Sequence, residues 1–364
     1  IPLSVTLIDE SAFKNCTSLT KLKIPNTVRA VESFAFQSCS ALQEISLNVD
    51  TTQLSQTAFS DCHSLDTVII STSSTSFGDH STNIQSVKHI IFESPITCFK
   101  SYCFFRQTNL ETVVFPPTLT TIEENAFFGC SSLTKCNLPS SIKAIEKEAF
   151  NGCSSLTDIT IPSISVLAEG IFLACSSLTE ITIPESVTTI EANSFENCAN
   201  LSKVVILADS LTVTTFAFSN CRALQELHFK KLNHLYEGAF ESCQSLKTIT
   251  YDKESSIDDI GSNCFFDCSS LTHFDLPQKM TKISTGMFDK CSSLSTISIP
   301  HSVKSILSKA FRNCSDLKEI QFNPTNMSID PTAFEGCTAL ETLIIPETEE
   351  VCTHEYNIRS IRCL

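Results

Sequence analysis

The sequence predicts an α/β solenoid, a right-handed, horseshoe-shaped superhelix of stacked coils with one short parallel strand per coil on its concave face. Three observations predict it. An Ala-Phe phrase recurs through the 364 residues, with its Phe at positions such as 13, 36, 59, 104, 127, 150 and 172, and most steps are 23 residues long. Five residues before each Phe the chain is apolar, as at Ile8, Val31, Ile122 and Ile190; three after it comes Cys in thirteen of fourteen coils, and three further on comes Leu. Between that Leu and the next turn lies a short alternating segment closed by proline, such as Leu133 to Pro139.

Each element of a coil follows from its residues. The alternating segment is a strand, and its proline sits where the ladder no longer needs an N–H. A turn follows, then a return segment carrying Ala-Phe, then a second turn at the cysteine. One coil cannot bury its apolar side alone, whereas stacked coils form a continuous core, and a period of 20 to 29 residues with leucine-like anchors is the signature of a leucine-rich repeat. Residues 1–346 read as a single array of about fifteen coils, and 347–364 as a tail or cap. With strands about 4.8 Å apart, such an array has an inner edge of roughly 70 Å. The phenylalanines then stack as an internal spine. The step from Phe59 to Phe104 is 45 residues, two coils less one residue, so the coil near 65–99 is irregular and keeps only Phe77 as its inward anchor. Ile1-Pro2 reads as the end of a strand, as in a piece of a longer array.

Nineteen cysteines would suggest a disulfide framework in a small secreted domain. The spacing argues otherwise. Thirteen share one repeat position and form a column in which neighbouring side chains point in parallel toward the core. They are expected to be reduced thiols, with S–H groups weakly bonded to turn carbonyls. Cys103 and Cys264 replace the Ala before Phe, and Cys136 replaces a strand Leu or Ile, so all three are small core residues. Cys98, Cys352 and Cys363 fall outside the pattern. Cys352 and Cys363 are either a disulfide pinning a terminal cap or two free thiols.

A net charge of −15 argues against nucleic acid as a partner, because binding it needs a basic face. No apolar run is long enough to span a bilayer. No metal-ligand spacing or phosphate-cradling glycine loop occurs, and the chain has only eight glycines, so no cofactor, no metal site and no enzymatic activity are expected.

The stretch "SLTEITIPESVTTIEANSFENCANL", Ser177 to Leu201, resembles the BspA-like leucine-rich repeats, also called the Treponema pallidum type. Their pattern runs Leu-x-x-Ile-x-Ile-Pro-x-x-Val-x-x-Ile-x-x-x-Ala-Phe-x-x-Cys, and the resemblance covers nearly the whole chain. The family often has Gly after the second Ile, which here only Gly261 supplies. The resemblance implies a cell-surface or secreted protein of a mucosal bacterium or parasitic protist. It would bind proteins or glycoconjugates, such as extracellular matrix, a host cell surface or other microbes, in adhesion. The alternative is an intracellular protein-binding scaffold or inhibitor, which suits a column of free thiols.

A ligand surface lies at positions the repeat leaves free. Two residues in each strand should face the concave side, and along the array their charges are mixed. Ile69, Ile91 and Val114 put three apolar residues there in neighbouring coils, beside His89 and Thr112, and they flank the irregular coil. An exposed apolar patch of this kind is a candidate contact site; the alternative is β-branched residues chosen for strand propensity. Asn15, Asn200, Asn313 and Asn326 head Asn-x-Ser/Thr triplets that could carry glycans in a secreted eukaryotic protein, and such triplets also arise by chance. Asn15 and Asn313 directly precede column cysteines and should lie away from the strands.

Overall fold

The computed structural model describes residues 1–78, 87–253, 255, 257–322, 327–340, 342–345 and 360–363. The chain divides into two compact units, Ile1–Pro162 and Ser163–Leu364. In the first, a seven-stranded parallel sheet takes one strand of two to five residues from each coil: Lys21–Lys23, Glu44–Asn48, Thr67–Ser71, His89–Phe92, Thr112–Val114, Lys135–Cys136 and Asp158–Ile159. In the second, Glu180–Ile183 pairs with Lys203–Ile206, Glu226–Phe229 with Thr248–Tyr251, and Thr296–Ile299 with Glu319–Phe322. Every one of these pairings is parallel. Thr342–Ile345 and Ser360–Cys363 extend the last sheet, so part of the segment beyond residue 346 is paired in the ladder.

The leucine-rich solenoid of parallel strands is as the sequence predicts, with the coil through His273 reduced to a single parallel bridge to Thr248, but two details differ. Among the described residues no helix occurs, so the α part of the expected α/β class is absent. Most coils also carry a second, short strand at the apolar position five before the Phe, such as Thr121–Ile122 paired with Ala144–Ile145. The reason is visible in the return segment. Its N–H groups alternate between two kinds of partner. Asn125, Phe127 and Gly129 donate to the carbonyls of Lys147, Ala149 and Asn151 in the next coil, at 3.0, 2.8 and 2.7 Å. Ala126, Phe128 and Cys130 donate within their own turn to Glu123, Asn125 and Phe127, at 3.3, 3.1 and 3.1 Å. A helix would spend every donor inside the segment; this alternation pairs the buried backbone and bolts each coil to its neighbour.

That path needs left-handed residues. The residue before the column position has φ between 55° and 76° in all fourteen coils, from Asn15 to Gly336. Gly, Asn and Asp pay least there, and they hold nine of those places. The strand end has its own device: in Pro116-Pro117-Thr118, the Leu119 N–H bonds to the Pro116 carbonyl at 3.0 Å and the Thr118 hydroxyl donates to Ile96 O in the preceding coil at 2.8 Å. Ser141 and Ser186 repeat the hydroxyl contact at 2.6 and 2.8 Å. Gly261, in the longest single-coil step, is required by space: a Cβ there would stand 2.3 Å from the Glu237 nitrogen.

The core of each coil is the set that the repeat fixes. Ile122, Ala126, Phe127, Cys130, Leu133 and Cys136 are all buried. The phenylalanine spine is continuous within regular stretches, with Phe127–Phe150 at 5.2 Å and 4° and Phe195–Phe218 at 5.1 Å and 8°. In the irregular coil Phe77 is buried and stacks on Phe104 at 5.3 Å, taking the place of the missing spine ring. Its return segment starts on Asp50, which accepts from Thr72 Oγ1 at 2.6 Å and Ser73 Oγ at 2.7 Å.

Candidate functional site: the strand face of the first unit

The cysteines come first, because they decide whether the molecule has reactive groups. All seventeen whose side chains are described are free. Column thiols donate to the Phe carbonyl of the preceding coil: Cys39 to Phe13 at 3.2 Å, Cys130 to Phe104 at 3.1 Å, Cys221 to Phe195 at 3.1 Å and Cys337 to Phe311 at 3.0 Å. This is the expected weak S–H bond to a turn carbonyl, now with a specific acceptor. Burial lowers the acidity of most of them, raising the pKa of Cys62 to about 11 and those of Cys130 and Cys198 to about 12. Such thiols are poor nucleophiles at neutral pH. Cys337 is the exception, its pKa lowered by the hydrogen bond with the Cys314 thiol. Cys136 and Cys264 are buried core residues, while Cys103 is half-buried. Cys98 is half-buried and donates to Glu123 Oε1 at 3.2 Å. Cys352, the side chain of Cys363, and Asn326 lie outside the described residues. No group of three or more His, Cys, Asp or Glu side chains among the described residues is arranged to hold a metal ion. Among the described residues no helix is long and apolar enough to cross a membrane.

The strand face is where the repeat leaves side chains free. Parallel register lines up the outward residues of successive strands into rows. One row runs Lys21, Glu44, Thr67, His89, Thr112, Lys135 and Asp158. The next, two residues along each strand, runs Lys23, Ser46, Ile69, Ile91 and Val114. The five residues singled out from the sequence are therefore brought together on three adjacent strands. Ile69, His89, Ile91 and Thr112 are half-buried by their neighbours, and Val114 is 55% exposed. His89 Nδ1 lies 2.8 Å from Thr112 Oγ1, which fixes the imidazole beside the apolar row.

The charges around the row divide into two kinds. Lys21 pairs with Glu44 at 3.1 Å and Lys88 with Glu111 at 2.8 Å, so these cations are neutralised within the face. Lys23 and Lys135 are exposed and form no ion pair among the described residues. The second unit presents a more polar strand face. Glu180 pairs with Lys203 at 2.6 Å, and His273 Nε2 lies 2.9 Å from Asp275 Oδ1. His228 Nδ1 lies 2.9 Å from Thr250 Oγ1.

Asn15, Asn200 and Asn313 are all exposed. Asn15 and Asn313 occupy the left-handed position before a column cysteine, with φ of 62° and 60°. Asparagine is common there for conformational reasons alone. Asn200 donates from Nδ2 to Ser176 O at 2.8 Å. The left-handed turn was not anticipated from the sequence, although the enrichment of Gly, Asn and Asp before the cysteine was a signal for it.

Among solved structures, a leucine-rich repeat protein from Bacteroides ovatus ATCC 8483 is 24% identical over 99% of this chain and 94% of its own, with a TM-score of 0.60, and shares the fold. A leucine rich cell surface protein from Faecalibacterium prausnitzii A2-165 is 23% identical, covering 88% of this chain and 86% of its own, with a TM-score of 0.45. The T. pallidum leucine rich repeat protein is 22% identical over 64% of this chain and 76% of its own, with a TM-score of 0.23. No curated protein matches the chain. The model of the BspA type leucine rich repeat region matches residues 1–107, 101–225, 155–255, 189–318 and 253–357. The chain belongs to the BspA-type leucine-rich repeat family.

Proposed function

We propose that this repeat scaffold is a cell-surface or secreted binding module. Its ligand is a protein or glycoconjugate, of the extracellular matrix, a host cell or another microbe, and binding serves adhesion. The observation that carries the reading is the apolar row Ile69, Ile91 and Val114 on an otherwise polar strand face, next to His89 and Thr112. The chemistry is non-covalent. Coils tied together by backbone bonds and a buried spine lose little conformational entropy when a ligand docks. The test is a binding screen of the chain against matrix proteins and cells, repeated with Ile91→Asp. Binding reduced at least about tenfold, with the thermal midpoint little changed, is the expected result; undiminished binding by the variant overturns the assignment.

A second reading, an intracellular protein-binding scaffold or inhibitor, draws on the free thiol column, which is at home in a reducing compartment. Glycan mass at Asn15, Asn200 or Asn313 in the natural source separates the two. Glycosylated protein supports the exposed module, and unmodified protein recovered from the cytosol supports the scaffold.

A further inference from the structure

The strand face of the first unit also carries information about the shape and charge of its partner. We propose that it docks an amphipathic helix of a partner protein, apolar at i, i+3 or i+4 and i+7 along one face and acidic at its two ends. This deepens the reading above and rests on it for the location of the site.

The first argument is spacing. The row Ile69–Ile91–Val114 crosses three adjacent strands. At about 4.8 Å per strand, its outer members stand roughly 9.6 Å apart. A helix lying along the row places residues i and i+7 about 10.5 Å apart, with one anchor between them. An extended peptide places i and i+4, its nearest equivalent with one same-face anchor between, about 13 Å apart. The helix mismatch is roughly 1 Å over the whole row and the strand mismatch more than 3 Å, so the row fits a helix.

The second argument is the width of the stripe. The row is one residue wide. On one side run Thr67, His89 and Thr112; on the other lie Ser71, on the strand Thr67–Ser71, and Glu93. A single apolar ridge flanked by polar rows suits a helix with a narrow apolar seam better than a broad hydrophobic surface.

The third argument is charge. The chain as a whole carries −15. On this face, though, the cations without a counter-ion among the described residues are Lys23, two strands before Ile69, and Lys135, one strand past Thr112. Lys21 and Lys88 are already spent on Glu44 and Glu111. Asp158, beside Lys135 at the far end, and exposed Glu93, beside Ile91 near the middle of the row, are the acidic exceptions. Acidic groups at the two helix ends would meet Lys23 and Lys135, whereas basic end groups would find only Asp158, since Glu93 lies beside the middle of the row and not at its ends.

Three synthetic probes test the inference by fluorescence anisotropy with the full chain. One is a helix-forming peptide with leucines at i, i+4 and i+7 and glutamates at both ends. The second has lysines at the ends, and the third has a central proline that prevents the helix. The acidic helix is expected to bind, and the other two to bind at least about tenfold more weakly. Ile91→Asp is expected to weaken the acidic helix at least about tenfold. The double variant Lys23→Glu, Lys135→Glu, at exposed positions that leave folding intact, is expected to reverse the preference between the acidic and basic helices. Equal binding of the two end-charges, undiminished binding of the proline peptide, or no binding of any probe overturns the inference. If no probe binds yet Ile91→Asp still abolishes capture of matrix or cells, the helix is wrong and the site stands. If the acidic helix binds but capture is indifferent to Ile91→Asp, the adhesion reading falls and the helix site remains.

Discussion

The return-turn side of a coil and its strand side are built from the same chain, yet they differ in how much choice the fold leaves. Around Phe127, every second N–H reaches the next coil, the ring is stacked on both sides, and the thiol of Cys130 is committed to the Phe104 carbonyl. Across the coil, at Ile91, the backbone is equally committed but the outward side chain has no partner set by the repeat. The lesson is that the recurring residues of this family hold the stack. The strand positions that the period leaves blank are where side chains can vary without disturbing that stack.

Substitutions on the two sides should therefore separate stability from binding. The largest effect is expected for Phe127→Ala, which removes a fully buried ring stacked at 4.8 Å on Phe104 and 5.2 Å on Phe150. A loss of about 3–5 kcal/mol in urea unfolding is expected, with strand-face ligand binding retained in whatever fraction stays folded. A loss under about 1 kcal/mol would mean that the spine is not the core.

A smaller and pH-dependent effect belongs to Glu241 on the turn side. Burial, and then the nearby Glu196, Glu237 and Asp267 carboxylates, raise its pKa. A raised carboxyl binds a proton more readily folded than unfolded, so stability falls as pH rises from the ordinary carboxylate range through the raised value. Glu241→Gln should stabilise the fold at neutral pH by a few tenths to about 1 kcal/mol, because solvent screens a half-exposed group. The gain should vanish near pH 4. A gain that persisted unchanged at that pH would point to packing instead of charge.

The smallest expected effect is a stabilisation. Ala174 sits in the left-handed turn with φ of 59°. Ala174→Gly should raise stability by up to about 1 kcal/mol, less the entropy glycine adds to the unfolded chain. The same change at Ala126, which has no positive φ and lies in the core, should destabilise. Thermal midpoints of the pair are the check, and like signs would contradict the turn assignment.

Much of this division could be read before any coordinates. The period and the placement of Phe, Cys and Leu fixed which side chains face inward, because parallel stacking repeats one coil's environment in the next. The row of Ile69, Ile91 and Val114 followed from strand alternation alone. The second short strand and the left-handed turns did not. Their backbone bonds run between coils, to residues 22 positions away such as Lys147 from Asn125, and no local pattern of hydrophobicity encodes them. The free lysines were also invisible, since register decides that Lys21 meets Glu44 while Lys23 meets Ser46. The irregular coil was legible as a defect in the period, and its repair by Phe77 needed only the one aromatic in the right half of the segment.

Site-resolved thiol alkylation tests the central claim most directly. Native chain is treated with a membrane-permeant maleimide without reductant, quenched, unfolded, labelled with a second reagent and mapped by mass spectrometry. Twelve column cysteines, from Cys39 to Cys337, are buried and should take only the second label, while Cys16, exposed, takes the first. First-label modification along the column of the folded chain, or column cysteines that accept neither label because they are joined in disulfides, would contradict the account.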